Sequence, residues 1–190
     1  MKIICVIPAR YASTRLPGKP LADIAGKPMI VRVYERVLNA TKPAEVIAAV
    51  DDERVYEAVV KAGGKAKMTT KDHATGTDRL EEKTKKCPEA DVIINVQGDE
   101  PLIDPQIIDD LAQEFLNDEN LKMATVKTPM KEEEKAKPGN VKVITDKNGY
   151  ALYFSRSLIP YPREDTGVVV YKHIGIYGYR RDFLLQYAKM

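Results

Sequence analysis

The strongest constraint on the fold is an uninterrupted apolar run near the start of the chain, from Ile3 to Ile7. A strand with one face in solvent alternates apolar and polar residues, whereas a parallel strand that helices cover on both faces is apolar throughout. The run therefore predicts a buried parallel strand. Because Pro8 has no N–H to donate to a ladder, we expect pairing to stop there.

Strand-like and helix-like segments alternate through the first two thirds of the chain, which indicates a largely parallel sheet covered by helices. The further predicted strands are Val46 to Val50, a short one near Lys65 to Met68, and Asp91 to Val96. The predicted helices are one from Pro28 to near Asn39, one that Asp51 and Asp52 can cap, one from Asp78 to Lys86, and one with Asp104 as N-cap and Pro105 at its first position.

The last third of the chain has a different pattern. Val141 to Thr145 and Tyr150 to Ser155 flank an Asp-Lys-Asn-Gly turn signal, which predicts an antiparallel hairpin. Val168 to Tyr171 and Ile174 to Tyr179 add strand character, and the charged run from Lys131 to Lys137 predicts a solvated loop or short helix. The fold class expected is α/β, with a mostly parallel mixed sheet and an antiparallel hairpin region.

Length and charge limit the classes of protein. A chain of 190 residues predicts a single domain, 1–190, or one domain with a small appendage. Its 30 Lys and Arg nearly balance 28 Asp and Glu, which argues against a nucleic-acid binder. The two cysteines form no C-x-x-C pair, and no apolar segment reaches the length of a signal peptide or a membrane span. We therefore expect a cytoplasmic protein with no membrane or nucleic-acid partner.

The common nucleotide and hydrolase motifs are missing. The sequence contains no G-x-x-x-x-G-K-[ST], no G-x-G-x-x-G after a strand, and no G-x-S-x-G. Its histidines are His73 and His173, too few for a polyhistidine metal site. P-loop enzymes, ordinary dinucleotide dehydrogenases and triad hydrolases are disfavoured.

A cationic loop directly after the first strand is the most informative candidate site. Arg10, Arg15 and Lys19 lie in it among Ser13, Thr14 and restricting prolines. In open α/β sheets, ligands bind at the carboxyl ends of the strands. A solvated basic loop is the alternative, but the position and spacing favour polyphosphate binding.

Three further constellations carry polar chemistry. The segment from His73 to Arg79 places hydroxyls and a cation ahead of a helix, where anions are favoured, although a capping turn explains it equally well. The segment from Gln97 to Pro101 offers a strand-end carboxylate for Mg²⁺, or simply a turn. Arg156, with His173 and Tyr177, offers a clamp for a carboxylate, or a surface salt bridge. Together these elements suit phosphoryl or nucleotidyl transfer.

The chain resembles the 3-deoxy-manno-octulosonate (Kdo) cytidylyltransferases in five ordered blocks, which cover essentially its whole length. The blocks are Ile7 to Leu21, Gly76 to Arg79, Asn95 to Pro101, Ala151 to Ser157, and Tyr171 to Tyr177. The resemblance implies a three-layer Rossmann-like nucleotidyltransferase fold, a homodimer, and transfer of CMP from CTP to Kdo with release of pyrophosphate, a step toward lipopolysaccharide.

The resemblance also assigns roles to particular residues. It implies that the triphosphate of CTP is bound by Arg10, Arg15 and Lys19 in a loop shaped by Ser13 and Thr14, with Thr77, Asp78 and Arg79 near the nucleotide. Asp99 is implied as the ligand of Mg²⁺, with Arg10, Lys19 and Asp99 as the catalytic set. The implied lining of the sugar pocket is Gln97, Glu100, Arg156, His173 and Tyr177, with Arg156 facing the sugar carboxylate.

Alternatives remain at the level of the sequence. Another acidic sugar, such as a sialic-type ulosonate, is one alternative substrate, although the Ser13 to Lys19 pattern fits Kdo better. Members of the family continue past the position that matches Met190, through a segment whose aspartate is a further implied metal ligand. We therefore expect a domain that is C-terminally incomplete relative to the family and weakly active or inactive, and a non-catalytic nucleotide-binding protein is the second alternative.

Overall fold

The structure is a computed structural model that describes residues 1–12, 16–70, 76–85, 87–164 and 167–187, without the side chains of residues 76–79 and 83. Its contacts divide the chain into two compact units, Met1–Ala124 with Ile176–Met190, and Thr125–Gly175. Among the described residues, no helix is long and apolar enough to cross a bilayer.

The elements follow one another in an alternating order through most of the first unit. The described strands are β1 (Ile3–Ala9), β2 (Asp23–Ile24), β3 (Lys27–Pro28), β4 (Glu45–Val50), β5 (Ala66–Met68), β6 (Val92–Asn95), β7 (Met123–Pro129), β8 (Lys142–Thr145), β9 (Ala151–Ser155) and β10 (Tyr171–Arg180). The described helices are α1 (Met29–Val37), α2 (Glu53–Lys61), α3 (Gly76–Lys85), α4 (Pro105–Asn117), α5 (Glu132–Lys135) and α6 (Arg181–Tyr187).

A parallel sheet in the order β5-β4-β1-β6 forms the centre of the first unit, and β10 adds an antiparallel strand beside β6. All five residues of the apolar run in β1 are at most 2% exposed, as predicted. Ile4 and Val6 lie in the buried apolar cluster that also contains Leu80 of α3 and Leu184 of α6. Close packing against α3 and α6 therefore fixes the position of the central strand.

Helix capping follows the sequence signals. The Asp52 side chain accepts a hydrogen bond from the backbone N–H of Arg54 at the start of α2. Asp104 caps α4 in the same way, through the N–H of Gln106, with Pro105 at the first helical position. Asp51 does not cap α2, because its carboxylate accepts instead from the backbone N–H of Tyr11.

Two predicted strand boundaries are wrong. β1 continues through Pro8 to Ala9, with Pro8 in register with Ala49 of β4. Pairing with β6 has already ended at Val6, so the N–H that proline lacks is not needed on that side. Val168 to Val170 is not a strand, and the side chains of Val168 and Val169 are about half exposed.

The second unit contains the predicted hairpin. β8 and β9 pair antiparallel, with Lys142 opposite Ser155 and Val143 opposite Phe154. Tyr171 and Lys172, at the start of β10, pair antiparallel with β8. The charged run forms the short helix α5, one of the two alternatives expected for it. β7, which pairs with β10, was not predicted.

Candidate active site

The loop that follows β1 is closed on itself and presents cations. The backbone N–H of Gly18 donates to the carbonyl oxygen of Tyr11 at 2.9 Å. Arg10 is exposed, and in the described part of the chain it forms no ion pair. Lys19 begins a short 3₁₀ turn immediately after the closure. Ser13, Thr14 and Arg15 lie outside the described residues.

Tyr11 anchors this loop to the start of α2, an arrangement that the sequence reasoning missed. The guanidinium of Arg54 lies 3.7 Å from the centroid of the Tyr11 ring and donates to the phenol oxygen at 3.0 Å. Arg54 also donates to the carboxylate of Asp52 through two nitrogens. The buried Asp51 accepts from the Tyr11 N–H at 2.9 Å. The only sign of this arrangement in the sequence was the pair of adjacent aspartates after β4, Asp51 and Asp52, although each was also a possible helix cap.

Gly98 allows the loop after β6 to approach the end of β1. A Cβ atom placed on Gly98 would lie 2.7 Å from the backbone carbonyl oxygen of Pro8 and 3.4 Å from the Cβ of Ala9. Any residue with a side chain would have to push this loop away from the end of β1. Because the contact is with backbone, the glycine sets the position of Asp99, the next residue.

The close approach brings Asp99 to the cationic loop. The ammonium of Lys19 lies 2.5 Å from Oδ2 of Asp99. The two side chains are 36% and 48% exposed, so the pair stabilises the fold by roughly 0–1 kcal/mol at most. A triphosphate that binds Lys19, or a cation that binds Asp99, can therefore replace the pair at small cost. The structure thus brings together two of the residues expected to bind the nucleotide and metal.

Gln97, Glu100 and Tyr177 also belong to the first unit. Gln97 and Glu100 lie in the loop after β6, where the Glu100 N–H donates to the Gln97 carbonyl at 3.3 Å. Tyr177 in β10 pairs with Asn95 in β6, and burial raises the pKa of its phenol. Asn95 is buried, and its Oδ1 has no hydrogen-bond partner within the described structure.

The nucleotide contacts expected from Thr77, Asp78 and Arg79 lie at the start of α3. The helix begins at Gly76, so the backbone N–H groups of its first turn belong to Thr77, Asp78 and neighbouring residues. The side chains of Thr77, Asp78 and Arg79 lie outside the description, as does His73. Their roles stay predictions.

Arg156 in the second unit is held by backbone and not by a carboxylate. Its Nη1 donates to the carbonyl oxygen of Pro138 at 3.0 Å. The side chain is exposed, and no salt bridge links it to any acidic residue that the structure describes. The alternative of a surface salt bridge is therefore not supported for these residues. A guanidinium oriented in this way, whose other N–H groups have no partner among the residues that the structure describes, suits an external carboxylate.

His173, also in the second unit, is half-buried beside Thr125 and Phe154. Its Nε2 lies 2.8 Å from Oγ1 of Thr125, and the Phe154 ring packs against it edge-on at 4.9 Å. The Thr125 hydroxyl also donates to the carbonyl oxygen of Ile174 at 3.3 Å. Burial lowers the pKa of His173 below its ordinary value, which favours a neutral ring.

The loop at the end of β6 offers Mg²⁺ a carboxylate, that of Asp99. Within the described residues, no group of three acidic, histidine or cysteine side chains forms a ready-made cage. Mg²⁺ keeps several waters and commonly uses one or two carboxylates together with substrate phosphates. A single half-exposed carboxylate, Asp99, beside a cationic loop fits that mode of binding.

A parallel α/β sheet with a cationic loop after its first strand and an acidic loop opposite is typical of a nucleotidyltransferase. The sequence profile of the family described as "Cytidylyltransferase" matches residues 4–190. The chain belongs to this cytidylyltransferase family.

The most similar relatives compared carry one name. The chain is 52% identical to the 3-deoxy-manno-octulosonate cytidylyltransferase of Fusobacterium nucleatum, over 100% of this chain and 78% of the relative. It is also 52% identical to the enzyme of that name from Escherichia coli, over 76% of that protein. The predicted family resemblance is confirmed.

Solved structures give the same result for the fold. A CMP:2-keto-3-deoxy-manno-octonic acid synthetase complexed with CTP superimposes with a TM-score of 0.94 at 52% identity, over 100% of this chain and 78% of that one. A 4-diphosphocytidyl-2C-methyl-D-erythritol synthase from Anaerococcus prevotii shares only the fold, with a TM-score of 0.63 at 16% identity. The predicted α/β nucleotidyltransferase fold is confirmed.

Proposed function

We propose that this chain transfers CMP from CTP to Kdo, giving CMP-Kdo and pyrophosphate, as a step toward lipopolysaccharide. The observation that carries the proposal is the exposed Lys19–Asp99 pair, which Gly98 brings to the end of β1 near Arg10. The relatives at 52% identity, which are named for this activity, support it.

The cationic loop acts on the nucleotide. Arg10, Arg15 and Lys19 bind the triphosphate of CTP, and the closure between Tyr11 and Gly18 holds the loop in shape around it. Ser13 and Thr14 shape the same loop, and Thr77, Asp78 and Arg79 lie near the nucleotide. Phosphoryl-group chemistry depends mostly on positioning and on neutralising charge, which fixed cations supply.

Asp99 is the residue that would hold Mg²⁺. When bound there, the ion would neutralise phosphate charge during the transfer. Lys19 then exchanges its carboxylate partner for a phosphate oxygen, which costs little because the ion pair is exposed. Arg10, Lys19 and Asp99 together form the proposed catalytic set.

The sugar acid is recognised by its carboxylate and hydroxyls. Arg156 binds the carboxylate through N–H groups that Pro138 leaves unused. His173, whose pKa burial lowers, is proposed to contact a sugar hydroxyl as a neutral ring. Tyr177, Gln97 and Glu100 are proposed as further sugar contacts.

No protein nucleophile is required. The anomeric hydroxyl of Kdo attacks the α-phosphorus, a new O–P bond forms, and the bond from the α-phosphorus to the bridging oxygen of the β-phosphate breaks. Pyrophosphate leaves, and the hydroxyl proton is released to solvent. In-line displacement of this kind needs reactants held at near-attack distance.

The test measures pyrophosphate release from CTP with Mg²⁺ and one of three acceptors: Kdo, N-acetylneuraminate or none. We expect release with Kdo that exceeds the other two by about 100-fold or more, because a site arranged to hydrogen-bond one acceptor leaves polar groups unpaired with another. Faster release with N-acetylneuraminate would favour the alternative acidic sugar. CTP binding without release under any condition would favour a non-catalytic nucleotide-binding protein.

We further propose that the protein acts in the cytoplasm, where CTP is available, and that it is a homodimer, as the family resemblance implies. Sedimentation of the purified chain at several concentrations tests the second proposal. A mass of one chain throughout would contradict it.

A further inference from the structure

Lys142, at the start of β8, is the most unusual charged residue of the second unit. It is 1% exposed and is among the largest fully buried side chains of the molecule. Its ammonium donates to two backbone carbonyls, that of Lys137 at 2.9 Å and that of Arg156 at 3.0 Å. No acidic residue within the described ranges forms a salt bridge with it.

Burying an ammonium group costs more free energy than burying an apolar side chain of the same size. Desolvation of the charge disfavours it, and an apolar side chain of similar size usually packs as well or better. Neither carbonyl partner carries a full charge that would compensate. The hydrogen bonds that Lys142 makes, and not its packing, therefore distinguish it from a methionine at this position.

Those hydrogen bonds form a closed ring with Arg156. The Lys142 ammonium donates a hydrogen bond to the carbonyl of Lys137. Pro138 follows Lys137 directly, and its carbonyl accepts a hydrogen bond from Nη1 of Arg156. Arg156 returns to Lys142 through its own backbone carbonyl. One ammonium thus fixes both the backbone of Arg156 and the segment that orients its guanidinium.

From this geometry we propose that Lys142 is a positioning residue for the carboxylate of the acceptor sugar, which acts through Arg156. The inference rests on the proposed function, since it assigns Arg156 to the acceptor. Without the ammonium, the Lys137–Pro138 segment and the Arg156 backbone lose their common donor, so the guanidinium loses its fixed direction. Binding of the acceptor then weakens, while binding of CTP does not change.

The test compares Lys142→Met with Lys147→Met, which removes an exposed lysine from the turn of the same hairpin. We expect Lys142→Met to raise the KM for Kdo by about tenfold or more, as loss of an oriented charge-assisted contact would. The KM for CTP should stay within about twofold in both variants, and Lys147→Met should leave both constants unchanged. A merely structural role would alter the two KM values together.

A double variant shows whether Lys142 acts through Arg156. In the Arg156→Gln background, Lys142→Met should raise the KM for Kdo by less than about twofold further, because coupled residues are not additive. Lys142→Arg, which keeps a cation with N–H donors, should recover part of the loss. Full multiplication of the two single effects would overturn the inference.

The possible failures are distinguishable. If Lys142→Met does not fold, the comparison is made with Lys142→Gln, and a Kdo KM within about twofold of the unaltered chain in that folded variant overturns the inference. If the unaltered chain turns over CTP and Kdo while Lys142→Met keeps its Kdo KM, only the inference fails. If the unaltered chain releases no pyrophosphate, the proposed function fails and the inference fails with it.

Discussion

Replacing Gly98 by alanine tests how the loop after β6 is held against the end of β1. The added Cβ would lie 2.7 Å from the Pro8 carbonyl oxygen, whereas ordinary contacts begin at 3.4 Å, so the loop must move by 0.7 Å (3.4 − 2.7). The obstacle is backbone in the central strand, which cannot rotate away. Overpacking of this kind costs about 1–3 kcal/mol.

Two quantities should change in Gly98→Ala. At about 2–4 °C per kcal/mol for a chain of this size, the melting temperature should fall by about 2–12 °C. Displacement of Asp99 should lower kcat by roughly 10- to 100-fold, since misplacement by about 1 Å costs up to about 100-fold. Thermal melting and steady-state pyrophosphate release measure the two effects.

Gly139→Ala is the matched control. Gly139 has no atom within 4 Å of an added Cβ and needs no left-handed backbone, so the same substitution there should leave both quantities nearly unchanged. A Gly98→Ala protein with unchanged melting temperature and a kcat within about twofold of the unaltered chain would show that Gly98 does not set the position of Asp99.

Three further predictions concern other single residues. Asp99→Asn should abolish most Mg²⁺-dependent turnover, by about 100-fold, while calorimetry still detects CTP binding; unchanged turnover would remove Asp99 from the metal role. Gly178→Ala should destabilise the first unit by about 1–3 kcal/mol in urea unfolding, because its Cβ would overlap the buried Phe115 ring; an unchanged midpoint would contradict this. Burial lowers the pKa of His173 below 6.5, so the unfolded chain binds a proton at this site more readily than the folded chain does. The neutral ring therefore makes its full contribution to the free energy of unfolding above pH 6.5, and this contribution is lost as the pH falls below 6.5. His173→Gln should therefore lose less stability than the unaltered chain between pH 7.5 and 5.5, and equal losses would count against the assignment.

Local signals predicted the elements well. The apolar run from Ile3 to Ile7 is buried in a parallel strand, Asp104 caps α4 with Pro105 behind it, and the Asp-Lys-Asn-Gly signal forms the predicted hairpin. Each depends on residues adjacent in sequence. Pro8 was misjudged because its tolerance in β1 depends on where pairing with β6 ends, which is a property of the assembled sheet.

The candidate site was only partly predictable for the same reason. The chemistry of Lys19 and Asp99 could be recognised from their motifs, but their contact depends on the close approach of Gly98 to Pro8. The stacking of Arg54 on Tyr11 joins residues 43 positions apart. Lys142 resembled an ordinary strand lysine in the sequence, because nothing in a local pattern reveals burial.

The transfer of CMP to Kdo is tested by following the phosphorus atoms of CTP. The chain is incubated with Mg²⁺, Kdo and CTP labelled at the α-phosphorus, and the products are separated. If the chain transfers CMP to Kdo, the label appears in a sugar nucleotide, CMP-Kdo, with one unlabelled pyrophosphate formed for each. Label that remains in CTP, or that appears in CDP alongside inorganic phosphate, would contradict that transfer.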